Sequence, residues 1–359
     1  MFVPAPIVID PADQALIDRH RNEPAPLLPI LHAFHHRDGY ISEETIRAVG
    51  KGLRIPLADL YGIVTFYHHF SQERGGLRRP RVCTGPVCCK RGAQDILASL
   101  EDAEPMPCAG RCDDPVPVLI GHETYVASGP GALERRTSSP LPVPNPGGAE
   151  ECVFRHIRSA GRATLEGYRA TGGYEGLAKA VGAMTPDQVV EEIKASGLAG
   201  RGGAGFPTGL KWQFVAQEKR GPKSIVCNAD EGEPGCFKDR ALLDHDPFAV
   251  IEGMTLAAYA TGASQGFIYL RYEYPETYDR LAAALRDAEE AELLGDNILG
   301  AGFSFRIYLR RGAGAYICGE ETALLNSLEG KHPFPRNRPP YPTTHGFEDL
   351  PTVINNVET

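Results

Sequence analysis

From Ser138 to Gly148 the chain reads SSPLPVPNPGG, four prolines and two glycines in eleven residues. Proline has no amide hydrogen and fixes its own φ, so this stretch cannot be a helix interior or a central strand; it reads as a stiff, extended connector with little to bury. A chain of 359 residues exceeds one ordinary core, and the connector divides it in two. The expected organisation is residues 1–137, a connector at 138–150, and residues 151–359.

Before the connector, Leu27, Leu28, Ile30, Leu31 and Phe34 recur at helical spacing, Ser42 precedes Glu43 and Glu44 as a helix cap, and a third apolar helix starts at Leu57. Arg81-Val82, Val116–Ile120 and Glu123–Val126 read as strands, the last two joined through Gly121-His122, and Arg91–Leu100 reads as a helix. After the connector, helix and strand signals alternate. Thr185, Pro186 and Gln188 form a capping box for a helix ending at Gly197; Ser224–Cys227, Gly266–Arg271 and Phe303–Leu309 read as strands; helices open at Pro247 and span Pro275–Leu294 and Gly319–Leu328. The fold class expected is α/β, with an N-terminal helical bundle and a small α/β unit followed by a larger α/β domain.

A net charge of −9 argues against nucleic acid as a partner, because phosphate contacts need clustered Lys and Arg. No apolar run has the length of a membrane span, and the N-terminus MFVPAPIVID lacks the basic start of a signal peptide. A cytoplasmic protein without direct membrane insertion is expected. Nine cysteines in such a chain suggest metal or cluster ligands more than disulfides.

Four of them are grouped as Cys83-TGPV-Cys88 and Cys108-AGR-Cys112. A 2Fe-2S cluster needs four thiolates, and the wide spacing within each pair suits ligands that reach two irons. A structural zinc site also takes four cysteines but commonly has two intervening residues, which neither pair has. Buried inert thiols are the third reading. Cys89 reads as a bystander. Together with the preceding segment LYGIVTFY, residues 60–67, this pattern resembles the small thioredoxin-like 2Fe-2S subunit of bacterial complex I and its equivalents in NAD-linked formate dehydrogenases and hydrogenases. The resemblance covers roughly residues 25–135 and implies that Cys83, Cys88, Cys108 and Cys112 hold the cluster.

Three glycine- or acid-rich segments mark the second unit. GRGGAGFPTGLKW, residues 200–212, contains a formal G-x-G-x-x-G but follows a helix instead of a strand, so the ordinary Rossmann reading does not apply. Its glycines still let backbone approach a phosphate or a planar ring, and Lys211 supplies charge. NADEGEPGCFKDR, residues 228–240, brings Asn228, Asp230, Glu231 and Glu233 to a strand's carboxyl end, where hydroxyls and ring nitrogens are recognised in open α/β sheets; a merely solvated acidic turn is the competing reading. GAGAYICGEETALLNSLEG, residues 312–330, runs a glycine turn into a helix, so for Glu320 and Glu321 simple complementation of the helix dipole stands as an equal reading.

With PTVINNVET at 351–359, these motifs closely resemble the NADH-oxidising flavoprotein subunit of complex I, from about residue 165 to the last. The resemblance implies FMN lying against Gly200, Arg201, Gly202, Gly203 and Lys211, with Asn228, Asp230 and Glu231 on its ribityl and phosphate side. It places Tyr316, Gly319, Glu320 and Glu321 beside the ring system and Asn355, Asn356 and Thr359 near the phosphate. For NADH it implies Phe206 and Phe214 as stacking aromatics and Glu233 and Glu321 as anchors. Arg338 and Tyr341 stand where the family often has lysine and phenylalanine beside the adenosine, changes that keep charge and stacking.

The activity implied is hydride exchange between NAD(H) and FMN, taken up at flavin N5, and single-electron exchange with iron–sulfur clusters, with no side chain acting as acid or base. Catalytic and electron-transfer subunits of a multi-subunit redox complex are the expected partners. Fusion of the two modules suggests an NAD-dependent formate dehydrogenase, with a bidirectional NAD-reducing hydrogenase or complex I as alternatives; a zinc-binding assembly protein is the reading from a different class. The family's flavoprotein continues into a domain with a 4Fe-4S cysteine quartet, so the chain reads as a partial one whose 4Fe-4S cluster belongs to that continuation.

Overall fold

A computed structural model describes residues 9–145 and 151–359; the end of the expected connector, 146–150, lies outside the described residues. Four helices come first, Pro11–His20, Leu27–Asp38, Glu43–Leu53 and Leu57–Phe66. Ser42 caps the third by accepting from the Thr45 amide at 3.1 Å, as its place before two glutamates predicts.

A five-stranded sheet follows, made of β1 (Arg81–Cys83), β2 (Glu104–Met106), β3 (Pro117–Ile120), β4 (Glu123–Gly129) and β5 (Ala132–Arg136), in the order β2-β1-β3-β4-β5. β1 and β2 are parallel, connected through the short helices Pro86–Lys90 and Ala93–Ser99; the other pairs are antiparallel. β3 and β4 turn through Gly121 at φ +62, the hairpin expected there. The two strands that the sequence pattern does not mark, β2 and β5, are the edges of this sheet. Edge strands need little apolar patterning, and β5 reads ALERR.

The second sheet contains β6 (Ser224–Ala229), β7 (Gln265–Leu270), β8 (Arg306–Arg311) and β9 (Thr352–Asn356), all parallel, in the order β8-β7-β6-β9. Alternate side chains serve two cores, as the two-residue period of a strand requires. Ile225, Cys227, Ala229, Ile268 and Val353 face the helices Pro186–Ala195, Thr208–Gln217, Pro247–Thr261 and Pro275–Glu290. Val226, Phe267, Tyr269 and Ile354 share a core with Ile30, Leu31, Phe34 and Ile63 of the first helices and with Leu324 and Leu328 of the helix Glu321–Leu328. The N-terminal helices therefore form one layer of the second sheet's sandwich, while the five-stranded sheet has a smaller core around Val82, Val118 and Ile96.

The Thr185–Gln188 capping box is present. β8 lies later than Phe303–Leu309, because Phe305 bridges back to Gly295 and Phe303 packs on Tyr259 instead of joining the ladder. The connector also departs from expectation. Ser139 is buried and its hydroxyl bonds to Asp244 and Arg240, while His245 Nε2 lies 3.2 Å from the Pro140 carbonyl; the segment is laid along the second unit. Among the described residues no helix is long and apolar enough to cross a membrane.

Candidate functional site

β7 and β8 extend the second sheet to one side of β6, and β9 returns on the other. The topological switch point thus lies between β6 and β9, where a crevice opens beyond the strands' carboxyl ends. A cleft of about 500 Å³ sits there. It brings together Gly200, Arg201, Gly202, Phe206, Lys211, Phe214, Asn228, Gly319, Glu320, Glu321, Arg338, Tyr341, Asn355, Asn356 and Thr359, all singled out in the sequence.

Local structure explains their convergence. The glycine loop is pinned at its base by the Gly200 amide to the Phe206 carbonyl at 2.8 Å and Thr208 to Leu198 at 2.9 Å, and it hands the chain to the helix Thr208–Gln217. Gly203 sits at φ +106, and a Cβ added there would meet nothing within 4 Å, so its constraint is backbone shape, and it does not line the cleft. Lys211 Nζ donates to the Ile354 carbonyl at 2.9 Å and stands 3.8 Å from Glu321 Oε2; burial lowers its pKa while Glu321 opposes the shift. Asn228 Nδ2 donates to the Gly319 carbonyl at 2.9 Å, tying β6 to the third motif. The Arg201 amide donates to Thr359 Oγ1 at 3.0 Å. Phe206 and Phe214 are 40 % and 44 % exposed with ring centroids 6.5 Å apart, an open aromatic pair at the entrance. Asn356 Oδ1 is buried without a partner, an orphan that a bound polar group would satisfy.

Several expected residues stand elsewhere. Glu231 does not line the cleft; its carboxylate accepts from the Asp239 and Arg240 amides at 3.1 and 3.2 Å and from the Tyr274 hydroxyl at 3.1 Å, so it holds the start of the helix Lys238–His245. Glu233 is bonded by the Tyr316 hydroxyl at 2.6 Å. Asp230 and Tyr316 line a separate cavity of about 80 Å³ together with Cys108 and Arg271; there burial pushes the Asp230 carboxyl up to about 7, against the pull of Arg271. Glu320 lines the cleft yet also caps the helix Glu321–Leu328, accepting from the Thr322 and Ala323 amides at 2.9 Å each. Capping and a place in the cleft therefore coexist at that residue. Arg338 bridges both glutamates, 2.9 Å from Glu321 Oε1.

Of the four grouped cysteines, Cys108 lines the small cavity. Cys83 ends β1, Cys88 sits on the helix Pro86–Lys90, and Cys108 and Cys112 occupy the loop after β2. Cys108 and Cys112 sulfurs are 3.7 Å apart, and the Cys83 thiol interacts with those of Cys108 and Cys88. A Cβ at Gly85 would lie 3.1 Å from Cys108 Cβ and 3.4 Å from its sulfur, so glycine there permits the two segments to close. The Ala109 amide points at Cys83 Sγ at 3.4 Å. Burial pushes the Cys112 thiol up to about 11. Among the described residues no three His, Cys, Asp or Glu side chains are arranged to hold a metal ion as they stand. Cys89 is exposed.

Sequence reasoning missed Arg271, Arg240 and Tyr274, which join this loop to the second sheet. For Arg271 and Tyr274 the signal is the charged and aromatic run after a strand, RYEYPE at 271–276, where an apolar turn would be ordinary; Arg240 carries no such mark.

Comparison with known proteins gives two family matches, the thioredoxin-like [2Fe-2S] ferredoxins over residues 13–133 and the Nuo51 FMN-binding domain over residues 193–359. The chain is similar to the F 2 subunit of the NADH-quinone oxidoreductase of Rhizobium meliloti, 52% identical over 210 residues, covering 58% of this chain and 50% of the relative. It is also similar to the alpha subunit of the NAD-reducing hydrogenase HoxS of Cupriavidus necator, 36% identical, covering 96% of this chain and 62% of the relative. A chain in the crystal structure of an NAD+-reducing [NiFe]-hydrogenase in the H2-reduced state superposes with a TM-score of 0.73 at 28% identity, over 94% of this chain and 60% of that one. The chain thus spans about half to three-fifths of the length of these proteins.

Proposed function

The chain joins a thioredoxin-like [2Fe-2S] ferredoxin domain to a Nuo51 FMN-binding domain, and from that premise we propose that it is the NADH-oxidising module of a cytoplasmic multi-subunit redox enzyme. The single observation that carries this is the cleft at the β6/β9 switch point, where the glycine loop, Lys211 and the polar end of β9 meet an open aromatic pair. The residues fit FMN. Backbone amides of the glycine loop, Lys211 and the Asn355–Asn356 end suit a phosphate, and the unpartnered Asn356 oxygen calls for a polar ligand group.

Bound FMN supplies hydride acceptance from NADH and release of electrons one at a time. The chain's own part is placement. Phe206 and Phe214 offer faces for a nicotinamide nucleotide, Glu321 anchors its polar groups from within the cleft while Glu233 stands outside the cleft lining on the Tyr316 hydroxyl, and Arg338 and Tyr341 meet the adenosine end. Asn228 fixes the Gly319 turn against β6, and Glu320 keeps the adjacent helix seated. Glu231 acts indirectly, by holding the helix that follows its loop. Cys83, Cys88, Cys108 and Cys112 would hold the 2Fe-2S cluster, the group of the thioredoxin-like [2Fe-2S] ferredoxins that residues 13–133 match.

For the parent complex a second reading competes with the formate dehydrogenase suggested by module fusion. Similarity running through both modules to the hydrogenase alpha subunit, over 96% of this chain, favours a hydrogenase-type diaphorase. Anaerobic purification decides the module: a flavin absorption band, a reducible 2Fe-2S EPR signal and NADH-driven ferricyanide reduction are expected. A colourless protein holding one zinc after reconstitution would overturn the reading, and the subunits that co-purify name the parent.

A further inference from the structure

The loop carrying Cys108 and Cys112 is held by side chains of the other unit. Arg271 follows β7 directly and is 4 % exposed. Its guanidinium donates to the Cys108 carbonyl at 2.6 Å and to the Glu231 carbonyl, and Glu273 clamps it through contacts of 3.0 and 2.8 Å. Arg240, 1 % exposed, donates to the Gly110 carbonyl at 3.3 Å and pairs with Asp113. Gly110 has φ +65, and a Cβ there would collide with the Tyr274 hydroxyl, so the loop is seated directly on that ring. Arg111, also buried, pairs with Glu276.

A short loop outside any ladder has carbonyls that must be satisfied when buried. Here two rigid guanidinium forks from residues 130 or more positions away in sequence do so for Gly110 and Cys108. We propose that Arg271 and Arg240 are positioning residues for the iron–sulfur cluster: the ligating shape of the Cys108–Cys112 loop is set by the flavin-side unit, and cluster retention depends on this interface. The proposal rests on the 2Fe-2S reading of the four thiols.

The test uses the full chain with cluster and FMN, comparing wild type with Arg271→Lys, Arg240→Lys and, as a control for buried arginine loss, Arg162→Lys, whose partner Asp246 lies 2.8 Å away on the same unit. Outer partners of metal ligands are worth roughly ten- to a hundredfold in retention. Release of iron to a chelator should accelerate by about tenfold or more in the first two variants, with shifted EPR g-values of the reduced cluster and unchanged FMN content. Arg162→Lys should release iron at the wild-type rate. Equal release rates across all four proteins overturn the proposal. Should Arg271→Lys fail to fold, Arg240→Lys and Glu276→Gln, which frees Arg111, carry the same comparison, and equal release rates among them overturn it likewise. A wild-type protein lacking any 2Fe-2S spectrum refutes the underlying cofactor reading instead, an outcome separate from uniform release.

Discussion

Lys211 reaches from the helix Thr208–Gln217 to the Ile354 carbonyl on β9, 2.9 Å away, so the one lysine of the glycine loop closes the switch point between the sheet's two diverging halves. Its charge is held by a backbone oxygen and, more distantly, Glu321, which leaves ammonium hydrogens for a phosphate. A charge-assisted bond of about 1.5–3 kcal/mol corresponds to roughly ten- to a hundredfold in affinity. Lys211→Met is expected to weaken FMN by that factor in a fluorescence titration. Affinity within about twofold of wild type would remove Lys211 from the phosphate site.

Phe206 projects at the cleft entrance beside Phe214, and the structure gives it no core to fill. Phe206→Ala should therefore leave the melting temperature nearly unchanged. An aromatic contact worth about 0.5–1.5 kcal/mol predicts a roughly two- to tenfold rise in KM for NADH. Steady-state ferricyanide reduction measures it, and a normal KM with a depressed melting point would assign Phe206 to packing instead.

Legibility in the sequence depends on how local each cause is. The capping box at Thr185 and the cap at Ser42 are set within four residues, and the structure has both at those positions. β9 is invisible as a strand because only Val353 and Ile354 are apolar between Pro351 and Asn355; its identity as a strand comes from pairing with β6. With it goes the switch point, the geometric reason for the cleft's location. Glu231 groups in sequence with its acidic neighbours, but the helix start at Lys238, seven residues on, claims its carboxylate. The run RYEYPE marks Arg271 as unusual after a strand, but its partner and that of Arg240 lie 130 or more positions away, so nothing local names what they hold.

Acid sensitivity should arise where three layers meet. His32, His35, His69 and His122 lie buried or part-buried in a chain of ring contacts of 5.0–5.7 Å, flanked by Arg81 and Arg311. Burial, then the nearby arginine, pulls His35 and His122 down to about 3, and His32 and His69 are also lowered. The unfolded chain takes up these protons near the ordinary histidine value of about 6.5, before the folded one does. Stability is thus complete above that pH and lost progressively as pH falls toward about 3. Melting temperature followed from about pH 7.5 to about pH 4 should decline through this window, and His122→Gln should flatten the slope; an unchanged slope would place the acid-labile groups elsewhere.

The cysteines and the cleft are served by different loops, so their cofactors should be lost separately. Cys83 ends β1, and its thiol interacts with those of Cys88 and Cys108, one from each cysteine pair. Cys83→Ser should abolish the 2Fe-2S EPR signal while FMN content and NADH:ferricyanide activity persist, since Lys211, Asn228 and the glycine loop are untouched. Cys89 is exposed and its sulfur is engaged with the Thr84 carbonyl at 3.1 Å; Cys89→Ala should keep both cofactors. Loss of the signal in Cys89→Ala with its retention in Cys83→Ser would exchange the two residues' roles and leave the proposed ligand set untenable.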